Sequence, residues 1–164
     1  MDRLCFFSRS SNKAPGRGAQ ERVANLDDYA ELATIPHWRR ILSNFYEFPF
    51  EYKGRQYRTV EHAYQAQKMA YLDGTSGLAA KFEIGGEWDG AGAVARKHRK
   101  AIMASPDVLS QWEPVMERIL RAKFEQCPEF RRVLRCTGRA ELWHIRPRQP
   151  LLRVPALESI RKIE

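Results

Sequence analysis

The chain has 164 residues, 43% of them hydrophobic and 29% charged, with a formal net charge of +8. That length fits one domain with its own core, no apolar run reaches membrane-spanning length, and the start, "MDRLCFFSRS", lacks the shape of a signal peptide. Three cysteines without a C-x-x-C pair and four histidines without H-x-x-x-H spacing suit a reducing compartment, cytoplasmic or nuclear, and offer no zinc site, while the basic balance suits either a polyanionic partner or plain solubility.

In chain order, "LCFFS" at 4–8 reads as a short buried strand. Residues 9–25, rich in Gly, Ser, Pro and Arg, read as a flexible basic surface loop. "LDDYAELATI" suits a helical turn or two ahead of Pro36, and "LSNFYEFPFEYKGRQYRTV" suits a hairpin turning at Lys53-Gly54. Thr59 is the expected N-cap of a helix running to about Leu72 and ended by "DGTSG". Residues 78–83 and 91–103 read as helical around a Gly-rich break. Ser105-Pro106 opens a short helix, and the capping box Ser110-x-x-Glu113 opens a longer one to about Gln126, with Pro114 in its first turn. A helix over 128–136 and an amphipathic one in "ALESIRKIE" complete the chain. The expected fold is mainly α, a single helical domain over 1–164 with a small β hairpin and strand element.

Two helices are unusually furnished. In "TVEHAYQAQK", Glu61, Gln65 and Lys68 share one face. Glu61 and Lys68 lie two turns apart, roughly 10 Å along the axis, and Lys68 leans back over Gln65, leaving a gap about the size of a sugar ring. The helix dipole alone also favours an acid in the first turn and a base near the far end, so spacing fits either account. In the later helix, Trp112, Met116, Ile119 and Lys123 form one stripe, an aromatic at one end and an ammonium at the other. A lysine snorkelling from a core edge gives the same pattern.

"FFS" at 6–8, "LSNF" at 42–45, "TVEHAYQAQK" at 59–68 and "W…M…LRAKFEQ" from Trp112 to Gln126 stand in an order and spacing that resembles the NADAR family of YbiA-like proteins. The resemblance covers most of residues 4 to 142, with an enlarged loop between Ser8 and Leu42. It implies a mainly helical fold and N-glycosidase activity. Some members are linked to phosphoribosylated pyrimidine intermediates of riboflavin synthesis, others to removal of ADP-ribose from guanine in DNA. The family's functional positions fall on Asn44, with Phe45 beside it in "SNF", and on Glu61, Lys68 and Trp112. One departure stands out. His144 occupies about the place of a Glu in many relatives, and their Asp-x-x-Trp-Gly segment is absent, replaced by a stretch carrying Arg146, Arg148 and Arg153.

Cleaving an N-glycosidic bond builds positive charge on the ribose C1 and ring oxygen, which a carboxylate such as Glu61 stabilises. The attacking group is water or an amine. A lysine that is partly neutral near pH 7 attacks C1, opens the sugar and forms a Schiff base, and Lys68 is the expected nucleophile. Lys123 is the rival amine or a phosphate contact. Trp112 is expected to stack on the base or pack against the ribose, Asn44 to fix a hydroxyl or phosphate oxygen, and Arg96 and Arg99 of "ARKHRK" to meet diphosphate or DNA, unless they merely line a solvated helix face. On this account the polar face of the helix at 59–68 is exposed and floors a sugar-binding cleft. The first expectation is an ADP-ribosyl glycohydrolase taking an ADP-ribosylated nucleobase, guanine in DNA, and releasing ADP-ribose. A glycosidase of a phosphoribosyl pyrimidine metabolite and a non-catalytic ADP-ribose or NAD module are the alternatives. No cofactor, metal or membrane is expected, and the chain is read as a monomer.

Overall fold

The structure, a computed structural model, describes residues 1–9, 11–73, 77–97 and 106–163. Among these the elements in chain order are strand β1 (Arg3–Phe6), a 3-10 turn (Leu26–Tyr29), helices α1 (Ala30–Ala33) and α2 (Trp38–Ile41), strands β2 (Phe50–Tyr52) and β3 (Arg55–Tyr57), helix α3 (Val60–Asp73), a second 3-10 turn (Ala79–Phe82), helices α4 (Gly92–Lys97), α5 (Pro106–Gln126) and α6 (Pro128–Cys136), strands β4 (Glu141–His144) and β5 (Leu152–Arg153), and helix α7 (Pro155–Ile160). The fold is mainly helical with two small sheets. The chain divides into two compact units, Met1–Ser43 with Pro128–Glu164, and Asn44–Cys127. Among the described residues no helix is long and apolar enough to cross a membrane.

The first unit is organised by a sheet of order β1-β4-β5. β4 runs parallel to β1, pairing Arg3 with Glu141 and Phe6 with His144, and β5 returns antiparallel. Leu4, Cys5, Phe6 and Leu142 are buried in this sheet. Helix α6 adds Phe130, Val133 and Leu134, the i, i+3, i+4 face of an otherwise arginine-rich helix. The pairing of β1 with β4 was not expected from the sequence, because it joins segments more than a hundred residues apart and "ELWH" is too short to announce itself. Helix α2 was likewise not expected.

The segment read as a surface loop is fastened at its middle. The Glu21 carboxylate accepts the backbone N–H groups of Cys5 (2.9 Å), Gly16 (3.1 Å) and Gly18 (2.9 Å). It also pairs with Arg39 at 2.7 Å, and Arg39 donates in addition to the carbonyls of Lys13 (2.6 Å) and Ala14 (3.1 Å). Both charged side chains are sealed from solvent. A buried ion pair survives only when its remaining donors and acceptors are satisfied, and here the loop backbone satisfies them.

The second unit opens with the β2–β3 hairpin, whose turn residues Lys53 (φ 52°) and Gly54 (φ 77°) both take left-handed conformations, as a two-residue turn matched to strand twist requires. Thr59 caps α3, its hydroxyl accepting the His62 N–H at 3.2 Å. Val60, Ala63, Ala66 and Met69 form the buried apolar stripe of α3, while Tyr71 is 61% exposed. The small alanines let α3 pack on α4, α5 and the Ala79–Phe82 turn.

Helix α5 corrects the expectation of two helices. It runs unbroken from Pro106 to Gln126, so positions 110 and 113 fall within the helix rather than at its start, and Pro114 lies inside it. Pro106 already occupies the first turn, where a missing N–H is harmless. Pro114 gives up one bond, to the carbonyl of residue 110, a loss that a helix packed on α3 and β2 withstands. The helical reading of 98–103, the opening at Ser105 and the middle of "DGTSG" (74–76) lie outside the described residues.

Candidate active site

The polar side chains of α3 are not an exposed floor. Glu61 is 9% exposed, Gln65 2% and His62 0%. They tolerate burial because they are matched. The Gln65 side-chain amide donates to Glu61 Oε1 at 2.8 Å, one helical turn apart, and fixes the carboxylate's orientation. The Glu61 backbone N–H, one of the donors every helix start leaves unpaired, goes to the Asn44 carbonyl at 3.1 Å and stitches the "SNF" loop to α3.

Asn44 then reaches α5, its amide 3.9 Å from the Met116 sulfur. One turn before Met116, Trp112 is 6% exposed and lies nearly perpendicular to two rings from α3, Tyr64 (centroids 6.5 Å) and Tyr71 (5.6 Å). The half-buried Lys68 sets its ammonium 4.1 Å from the Tyr64 ring centre. Burial, with the negative charge of Glu61 next and Glu113 after it, pushes the Tyr64 hydroxyl up to about 12, so it stays protonated at neutral pH. Asn44, Glu61, Gln65, Lys68 and Trp112 are therefore linked through named contacts within one unit.

Lys123 does not snorkel. It is 1% exposed, with Nζ 5.5 Å from the Tyr46 ring centre. Phe45 is held by close packing, since a Cβ on Gly92 would come within 2.8 Å of its ring and 2.9 Å of its Cα. Of Arg96 the structure describes only its place in α4, and Arg99 lies outside the described residues. Arg146, Arg148, Arg153 and His144 belong to the first unit. There Arg153 pairs with Glu158 at 2.8 Å and Glu141 at 3.5 Å, Arg146 donates to the Pro150 carbonyl, and His144 stacks on Phe6 at 5.0 Å.

His62 and Arg58 are the residues whose roles sequence reasoning missed. The His62 ring contacts the Thr59 hydroxyl (2.7 Å) through Nδ1 and the Trp88 carbonyl (3.1 Å) through Nε2, and burial holds it below the ordinary histidine value. Arg58 clamps Asp89 in two bonds of 2.7 and 3.0 Å, which hold that carboxyl below its usual range. Together they fasten the 85–90 loop to the start of α3. The available signal was His62 three residues after the cap Thr59.

Two buried polar atoms here have no hydrogen-bond partner among the described residues: the indole Nε1 of Trp112 and Oε1 of Gln65. Leaving such a donor and acceptor unmade costs about 1–3 kcal/mol each. Chemically the group offers an oriented carboxylate, an amine over an aromatic face, an indole donor and an amide acceptor. No three His, Cys, Asp or Glu side chains among the described residues are grouped to hold a metal.

No family model matches this chain, and no curated protein does. Among solved structures, the NMR structure of the E. coli protein YbiA is similar over 99% of this chain and 85% of that chain, at 20% identity and a TM-score of 0.47. A similarity that loose says nothing about what this chain does.

Proposed function

We propose that the chain is an N-glycosidase, an ADP-ribosyl glycohydrolase that removes ADP-ribose from a modified nucleobase, guanine in DNA. The observation that carries the reading is Glu61, a carboxylate 9% exposed and held by Gln65 at 2.8 Å. A carboxylate in so dry a place acts on a neighbouring cationic ribose far more strongly than one in water. The resemblance of "SNF" and "TVEHAYQAQK" to the NADAR family supplies the substrate class.

Lys68 is the nucleophile in this account. Its nitrogen lone pair attacks C1, the C1–N bond breaks toward the base, and the departing base nitrogen takes up a proton. The C1–ring-oxygen bond then breaks as the nitrogen lone pair forms the imine on Lys68, the second amine proton passing to the ring oxygen, and water adds to C1 to release ADP-ribose and regenerate the amine. Glu61 stabilises the charge that develops at C1. Trp112 and Gln65 supply the donor and acceptor that bind the ligand, which makes the bonds their own surroundings leave unmade.

Borohydride added during turnover tests the step. It should reduce the imine and leave an adduct on Lys68, and Lys68→Arg should bind ADP-ribose yet be nearly inactive. An adduct on Lys123, or substantial turnover by Lys68→Arg, removes Lys68 as the nucleophile and leaves a water activated by Glu61. A second reading, the same bond cleaved in a phosphoribosyl pyrimidine, is favoured by the near-balanced charge of Asn44–Cys127, twelve Lys and Arg against eleven Asp and Glu.

A further inference from the structure

The positive charge is segregated. Met1–Ser43 with Pro128–Glu164 carries sixteen Lys and Arg against nine Asp and Glu, a net +7, whereas Asn44–Cys127 carries a net +1. Nearly all of the chain's +8 therefore lies in the unit without Glu61, Lys68 or Trp112. Solubility needs charge but not its segregation, and clustering on one part of a molecule is the footprint of a polyanionic partner.

Within that unit a cleft of about 560 Å³ is lined by Arg135, Arg139, Arg153, Arg161 and Lys162, with Glu158 among them. The Glu158 carboxylate is already engaged by Arg153 at 2.8 Å and by the Leu142 N–H at 3.2 Å. The Arg161 guanidinium donates to the Thr137 hydroxyl (3.1 Å) and the Arg135 guanidinium to the Ile163 carbonyl (3.0 Å). Arg139 and Lys162 are exposed and make no ion pair among the described residues. A second cleft, about 390 Å³, shares Arg135 and is lined along α6 by Arg131 and Arg132, with Glu31, which pairs with Arg132 at 3.5 Å, among them.

We propose that these joined clefts bind the phosphate backbone of nucleic acid, through residues none of which belongs to the candidate active site. A single phosphate metabolite needs one convergent pocket, and the arginines here are strung across α6, β5 and α7 instead. An anionic bilayer is the competing polyanion, and the concave lining fits a strand better than a flat surface. Burial holds Arg161 below the ordinary arginine value, and a bound phosphate offsets that burial.

The test is fluorescence anisotropy of short labelled DNA carrying no ADP-ribose, titrated between about 50 and 200 mM salt. Arg139→Ala/Lys162→Ala should weaken binding about tenfold or more at low salt and make the slope of log K against log salt shallower by about 1.8. The exposed pair Arg118→Ala/Arg121→Ala on α5, with a similar loss of charge, should leave affinity within about threefold. Failure of the wild type to bind DNA overturns the proposal. So does equal weakening by the two pairs, or binding of phosphatidylglycerol vesicles but not DNA. Because the probe carries no glycosidic adduct, the result stands apart from whether Glu61 and Lys68 cleave anything.

Discussion

Replacing Glu61 by Gln removes the carboxylate's charge. The new side chain keeps the volume, and its carbonyl oxygen can still accept the Gln65 amide now bonded to Glu61 Oε1 at 2.8 Å. The fold should therefore hold to within about 1 kcal/mol, which for a chain of this size is about 2–4 °C in Tm. Turnover should not hold. Removing one preorganised stabilising group from a dry site costs about 2.7–4 kcal/mol, or 10²–10³ in rate, and the 9% exposure of Glu61 places it at the upper end. The assay is release of ADP-ribose under saturating substrate, read beside a thermal melt of the same preparation, with kcat falling and KM nearly unchanged. A variant that melts early while activity falls only in proportion to folded protein would show that Glu61 is a helix-start residue, and the site assignment would fail.

Trp112→Phe keeps an aromatic ring beside Tyr64 and Tyr71 but deletes the indole N–H, which has no partner among the described residues. Affinity for ADP-ribose by calorimetry should fall by about 1–3 kcal/mol with little change in Tm, and unchanged affinity marks Trp112 as ordinary core. Arg39→Met strands the buried Glu21 carboxylate and should cost about 3–5 kcal/mol, lowering Tm by about 6–20 °C; a drop of only a degree or two contradicts the fastening role. His62, held below its unfolded value of 6.5 by burial, contributes stability that is complete above pH 6.5 and is lost as pH falls from there toward its folded value. Urea midpoints should therefore decline from pH 7 to 5, and His62→Gln should flatten that decline; an unaltered profile removes His62 as its source.

What was legible in the sequence is what local chemistry dictates. Lys53-Gly54 announces the hairpin turn, Thr59 the start of α3, and the stretch over 128–136 the helix α6. The parallel partner of β1 was not legible, because its pairing energy comes from a distant segment. Ser110-x-x-Glu113 is spelled like a capping box, and only packing along a 21-residue helix overrides the spelling. Of the candidate site, the face carrying Glu61, Gln65 and Lys68 and the stripe from Trp112 to Lys123 were visible in the spacing. Their burial was not, because the groups that permit it arrive from elsewhere: the Asn44 carbonyl for the Glu61 backbone and the Trp88 carbonyl for the His62 ring.

The central claim is that this protein breaks a ribosyl N-glycosidic bond and that ADP-ribose is what it releases. A time course with DNA containing ADP-ribosylated guanine, run beside a phosphoribosyl pyrimidine and followed by mass spectrometry, tests it most directly. The account predicts free ADP-ribose accumulating with many turnovers per enzyme and guanine left unmodified in the DNA, with the pyrimidine cleaved slowly or not at all. Tight binding of ADP-ribose with neither substrate cleaved, or cleavage of the pyrimidine alone, would contradict it.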